Sequence, residues 1–500
     1  MLLDVLSTIP EVFIQVATPL TLAWIFLGVM VGVIFGAIPG LTALTAVAIF
    51  TPITFLMSFE TAFGFLIGIY CGGFYAGSIP AILLKTPGAP GNAATALDGY
   101  PMALQGKAGL ALGLSIISSF IGGIVSAFAL LFIAPLLGTV ALKFGAAEYF
   151  SLGILGLLCV AGISGNSILK GLIGATIGML LGVIGMDPII GTPRFTMGHV
   201  DMMGGIALIP ALVGLFAIPE VLSQFGKLGV VGKVLKVDTA LPKVRDFIVA
   251  KWTLVRSILI GIGIGILPGI GPTIASWMSY TEARRNSKHP EEFGKGSAEG
   301  IIACESSNNA VPGGAMIPLL TLGIPGDSIT AVMLGALMIQ GLTPGPMLLA
   351  TNYDIIASIL WILIWANVFM LFVGVAGAKT FPYIMKVPNY ILMPIIIVLC
   401  VAGSYASNNS LFDVKMMIVV GILGYILSKF DISMPPIVLG FILGPIIESN
   451  FRRALVGANP SVFVTEPISA GILAIAAVML FFIIRNNLKE TNLPIVDDEA

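Results

Sequence analysis

An all-α polytopic membrane protein, built as two related halves, is the fold class this sequence predicts. Three observations carry that expectation. Of 500 residues, 57% are hydrophobic and 10% charged. A soluble domain has about 25% charged residues, so lipid must be the solvent for most of this chain. Apolar stretches of spanning length recur at 16–37, 109–136, 148–163, 168–186, 204–221, 355–378, 389–403, 413–428 and 467–484. Less regular ones fill 42–84, 253–281, 308–341 and 433–447. A spanning helix needs about 20 apolar residues, which predicts about 12 membrane segments.

The third observation is internal repetition. Ile38-Pro39-Gly40 recurs as Leu267-Pro268-Gly269, 229 residues on. Ile79-Pro80 recurs as Ile317-Pro318 and Pro87-Gly88 as Pro325-Gly326, each 238 on. Gln105-Gly106 returns as Gln340-Gly341 after 235, and Leu158–Gly162 returns letter for letter as Leu399–Gly403 after 241. The order is kept while the offset drifts, as small insertions would make it. Two halves with interrupted hydrophobic segments at matching positions are a secondary-transporter pattern.

These marks set the expected organisation. A first repeat covers 1–223 and a second covers 257–484. Between them lies a basic linker, 224–256, and a polar tail follows at 485–500. The linker carries Lys227, Lys233, Lys236, Lys243, Arg245, Lys251 and Arg256 against Asp238 and Asp246. The positive-inside rule places it in the cytoplasm. About seven apolar segments separate Pro39 from Pro268, and an odd count inverts the topology of the second half. The first residues lack a basic region and a cleavage site, so no removable signal peptide is expected.

Composition also excludes function classes. The net charge is −1, and no basic run suits nucleic acid. Cys71, Cys159, Cys304 and Cys400 are scattered without metal-ligand spacing. Gly162-Ile163-Ser164-Gly165 matches an intramembrane serine-protease pattern. The two histidines, His199 and His289, lie in polar stretches and do not provide its base. No Walker lysine or cofactor motif is present, so a non-enzymatic protein without cofactors is expected.

Two stretches could carry transport chemistry. In 68–109, Gly72, Gly73 and Gly77 remove side chains, and Pro80, Pro87 and Pro90 remove backbone donors and break the helix. Broken backbone at membrane depth must be buried in protein or line a wet cavity. There it offers helix N-termini to anions and carbonyls to cations. The stretch 303–346 has the same design with more polar atoms: Glu305, Asn308, Asn309, Asp327 and Thr330. Asn and Thr oxygens suit a cation or a carboxylate. In a membrane helix they also serve as interhelical glue.

Individual residues are read in both ways. Lys85, before Thr86-Pro87-Gly88, meets a carboxylate substrate or snorkels to an interface. Asp98 reads as a cation ligand or a turn, and Asp327 as a cation ligand or an N-cap. The turns Pro39-Gly40 with Thr42, and Pro268-Gly269, form a second matched pair. The expected substrate residues are Pro39, Gly40, Thr42, Lys85, Thr86, Pro87, Gly88, Asn92, Pro268, Gly269, Pro325 and Gly326. The expected cation residues are Asp98, Glu305, Asn308, Asn309, Asp327 and Thr330.

At these stretches the sequence resembles the TctA family, the large membrane subunit of bacterial tripartite tricarboxylate transporters. Gly36–Thr42, Pro87–Gly109 with Leu97-Asp98-Gly99-Tyr100-Pro101, and Asn308–Pro346 carry the resemblance. It implies a permease in the bacterial cytoplasmic (inner) membrane that imports a di- or tricarboxylate, coupled to Na⁺ or H⁺. It implies two protein partners, a small TctB-like membrane subunit and a periplasmic TctC-like binding protein. Lys85 departs from the neutral residue usual before this Pro-Gly. A stand-alone carboxylate symporter and an ion channel are the competing readings. A channel requires a continuous polar lining or a charged ring, whereas polarity here gathers at two breaks.

Overall fold

The structure is a computed structural model. It describes residues 2–163, 168–224, 235, 237–238, 242–378, 380–385, 389–456 and 460–490. Ser164 and Gly165, much of the basic linker with Lys227, Lys233 and Lys236, and the tail beyond 490 lie outside the described residues.

The described chain is helical apart from one short hairpin, Gly185–Met186 against Pro193–Arg194. Among the described residues, seven helical stretches are long and apolar enough to cross a bilayer: Pro19–Ala37, Phe59–Leu84 (with a turn at Gly77), Ala108–Ala141, Asp354–Gly377, Ile391–Asn408, Leu411–Lys429 and Met434–Leu455. Shorter apolar helices, such as Ala43–Leu56, Leu208–Gln224 and Ser328–Ile339, lie between them. The fold is that of a polytopic membrane protein.

The chain forms two compact units, each drawing on both halves of the sequence. One comprises 1–142 and 207–425, the other 143–206 and 426–500. In the first unit, close helix approach depends on missing side chains. A Cβ at Gly32 would lie 2.3 Å from the Ile69 carbonyl oxygen, and one at Gly261 2.3 Å from that of Ser307. Lipid supplies no hydrophobic drive between helices, so such close backbone packing holds them together.

Expected helix breaks and actual ones differ in place. Pro80 falls in the first turn of the Ser78–Leu84 helix, where its missing N–H is not needed. The Ala298–Leu322 helix runs 25 residues through Pro312 and Pro318. It ends at Gly323, whose φ of 70° is left-handed.

In the second unit, the segment after Gly182 carries an ion-pair cluster. Asp187 Oδ2 lies 2.7 Å from Arg452 Nη1 and 3.2 Å from Arg194 Nη2, while Glu448 contacts both arginines. The Ile190 N–H, the Arg452 guanidinium and the Ile189 N–H hold the Asp187 carboxyl well below the usual carboxylate range.

Candidate functional site

The two proline-glycine stretches reach the same local geometry. The Pro19–Ala37 helix stops at Ile38, and Gly40 turns with φ 90°. The Lys251–Ile266 helix stops at Leu267, and Gly269 turns with φ 78°. New helices then start at Ala43, capped by the Thr42 hydroxyl, and at Gly271.

The second pair of breaks matches residue for residue. The Ser78–Leu84 helix ends at Lys85 (φ 60°), and the Ala298–Leu322 helix ends at Gly323 (φ 70°). The Thr86 N–H then reaches back to the Pro80 carbonyl at 3.2 Å, as the Ile324 N–H does to that of Pro318 at 3.3 Å. Gly88 seats on the Gly36 carbonyl and the Gly77 backbone, and Gly326 on the Gly265 carbonyl and the Ala315 backbone. The Gly269 N–H donates to the Gly326 carbonyl at 2.8 Å. Pro39 and Gly40 are half-buried, as is Gly269, while Pro268, Pro325 and Gly326 are buried. Thr86 and Pro87 are exposed, and so is Lys85 at the end of its helix.

Between these breaks lies a buried polar cluster. Glu305 is fully buried in mid-helix. Its Oε1 accepts from Thr95 Oγ1 at 2.5 Å and Asn92 Nδ2 at 3.3 Å, and its Oε2 from Ser115 and Ser119 Oγ, each at 3.2 Å. The Asn92 and Asn308 amides both donate to the Phe74 carbonyl, at 3.1 and 3.2 Å. Asn309 Nδ2 donates to Ser119 Oγ at 2.8 Å and to the Glu305 carbonyl at 3.2 Å. Asn308 also borders Gly91, which lies against Pro272. The cluster thus ties the loop after Pro87 to the helix that begins at Gly271.

Asp327 caps the Ser328–Ile339 helix. Its Oδ1 accepts from the Thr330 N–H and hydroxyl, each at 2.8 Å, and its Oδ2 from the Tyr70 hydroxyl. Asp98 stands apart from this group. One of its oxygens accepts the main-chain N–H groups of Gly294, Gly296 and Ser297 at 2.8–2.9 Å. Ser297 is the N-cap of the Glu305 helix, so Asp98 pins the start of that helix, where its dipole favours negative charge.

Sequence reasoning missed Tyr70, Thr95, Ser115 and Ser119. One signal was available. Ser115 and Ser119 are four apart in a helix with no charged residue, and that spacing puts both on one face. The reach of Tyr70 to Asp327 spans 257 positions and has no local signature.

A polytopic helical membrane protein with paired helix interruptions around a buried polar cluster has the build of a secondary transporter. The comparisons with known proteins agree. The chain belongs to the tripartite tricarboxylate transporter TctA family, matched over residues 22–439. It is 39% identical over 482 residues to an uncharacterized 52.8 kDa protein of Agrobacterium vitis, from the TAR-I ttuC' 3' region, covering 95% of each chain. A second A. vitis protein, from the TAR-II ttuC' 3' region, is 39% identical over 221 residues, covering 43% of this chain and 90% of the relative. No solved structure matches the chain.

Proposed function

We propose that this chain is the large permease subunit of a binding-protein-dependent, cation-coupled importer of a di- or tricarboxylate in the bacterial cytoplasmic membrane. It works with a small TctB-like membrane subunit and a periplasmic TctC-like binding protein. The observation that carries the reading is the matched geometry of the two breaks: Gly88 on Gly36, Gly326 on Gly265, and a shared buried cluster between them. Residues 1–223 and 257–484 act as repeats of inverted topology joined by the cytoplasmic linker.

The substrate carboxylates are received where helices restart after the Pro-Gly turns, at Thr42 and Gly271, beside Pro39-Gly40, Pro268-Gly269, Pro87-Gly88 and Pro325-Gly326. Unpaired N–H groups at a helix start attract anions. Thr86 and Asn92 complete that site, and Lys85 stands at its edge. The coupling ion, Na⁺ or H⁺, binds among the buried oxygens of the Glu305, Asn308–Asn309 and Asp327–Thr330 region.

The test is uptake into proteoliposomes holding this chain and the small subunit, with and without the binding protein. The expected result is high-affinity uptake only when the binding protein is present and a cation gradient is imposed. Equal uptake by this chain alone would instead identify a stand-alone symporter.

A further inference from the structure

Glu305 is a fully buried acid. Among the described residues no lysine or arginine is buried, so no cationic side chain meets it. A buried carboxylate without a cationic partner is costly. Its four donors are side-chain groups, three of them hydroxyls on Thr95, Ser115 and Ser119. A hydroxyl that donates to a carboxylate can rotate its hydrogen away and present a lone pair. One oxygen of Asp98 is held differently, by main-chain N–H groups, which offer a cation nothing.

A second observation points to a ligand at Glu305. Asn309, 2% exposed, turns its amide nitrogen to Ser119 and to the Glu305 carbonyl, and its own Oδ1 is buried without a donor. The Asn92 Oδ1 is orphaned in the same way. Unmet buried acceptors are uncommon and each needs an explanation. A region rich in oxygen and short of donors suits a small cation, which takes carboxylate, hydroxyl and amide oxygens.

We propose that the coupling cation binds at Glu305, between its carboxylate, the hydroxyls of Thr95, Ser115 and Ser119, and the amide oxygen of Asn309. This rests on the cation-coupled reading above and specifies its site. Asn92 is a positioning residue. It links Glu305 to the Phe74 carbonyl, and its oxygen faces Gly77, on which Gly88 is seated. Neutralising Glu305 therefore changes how the loop after Pro87 is held, and the two substrates of the transporter are coupled through it. Sodium and the proton share this chemistry, since either one cancels the carboxylate charge. The other titratable groups facing Glu305 are the Tyr75 hydroxyl and the Cys304 thiol, with Asp98 beyond Cys304.

The experiment uses the reconstituted complex with its binding protein. Uptake is titrated with NaCl against choline chloride at fixed pH, and separately with pH in sodium-free buffer, for wild type, Thr95→Val, Ser119→Ala and Glu305→Gln. Losing one ligand should raise the half-saturating Na⁺ about tenfold, or move the pH profile by about one unit if the ion is a proton. Glu305→Gln should lose gradient-driven accumulation yet keep substrate counterflow. If Glu305→Gln fails to reach the membrane, the Thr95 and Ser119 variants decide. Unmoved Na⁺ and pH profiles in those two variants, at wild-type protein level, would overturn the site. Because their uptake would still require the binding protein, that failure would leave the transporter reading standing.

Discussion

Replacing Asp98 separates a structural latch from a cation ligand. In Asp98→Ala the N–H groups of Gly294, Gly296 and Ser297 lose their common acceptor. A hydrogen bond to a charged group contributes about 1.5–3 kcal/mol. The Ser297 bond is buried and should keep that value, whereas the other two are part-buried, so water recovers much of theirs. The net loss is then about 3–5 kcal/mol. The start of the Glu305 helix should loosen with it. Fluorescence-detected thermal unfolding in detergent should show a midpoint several degrees lower. Asp98→Asn, which keeps an oxygen acceptor and loses the charge, should fall between the two proteins. In both variants the half-saturating cation concentration for uptake should equal that of wild type. An unmoved midpoint with cation dependence shifted about tenfold, the size expected for a lost ligand, would instead make Asp98 a cation ligand.

Two further outcomes follow from the same geometry. The Asp187 carboxyl is held low by the Ile190 N–H, Arg452 and the Ile189 N–H. Its stabilisation is therefore complete above the unfolded value of about 3.9 and is lost as pH falls through the folded one. Asp187→Asn should lower the unfolding midpoint at pH 7, with the gap narrowing at pH 3, and an equal gap at both would contradict this. Lys85 holds a left-handed conformation, φ 60°, that its counterpart Gly323 adopts without penalty. Lys85→Gly should raise stability by up to about 1 kcal/mol. Lys85→Gln should reduce uptake progressively from mono- to tricarboxylates, whereas a uniform small effect in that series would return Lys85 to the interface.

Much of the molecule was legible in the chain before folding. The low charge and recurring apolar stretches require lipid, and in lipid the backbone must satisfy its own hydrogen bonds, so helices follow. Pro39-Gly40 and Pro268-Gly269 announced their turns because glycine alone takes a positive φ freely. Where a proline ends a helix was less legible. Ile79-Pro80 and Ile317-Pro318 match in sequence, yet Pro80 lies in a first turn and Pro318 inside a 25-residue helix. Neighbouring helices that hold the backbone in place decide what a proline does there.

The polar residues divide in the same way. Asn92, Glu305 and Asn308 stood out because polar groups are costly at membrane depth, and that cost is a property of the sequence alone. What each one does depends on partners far along the chain. Glu305 meets Thr95 and Asn92 more than 200 positions away, and Asp98 meets Ser297 across 199. Hydrogen bonds reach about 3 Å and carry no record in local spacing. Composition and periodicity thus determined that the chain is a membrane helix bundle with two interrupted stretches. Tertiary packing alone decided that Asp98 meets main-chain N–H groups, whose direction the backbone fixes, while Glu305 meets the Asn92 amide and three hydroxyls, whose hydrogens can rotate.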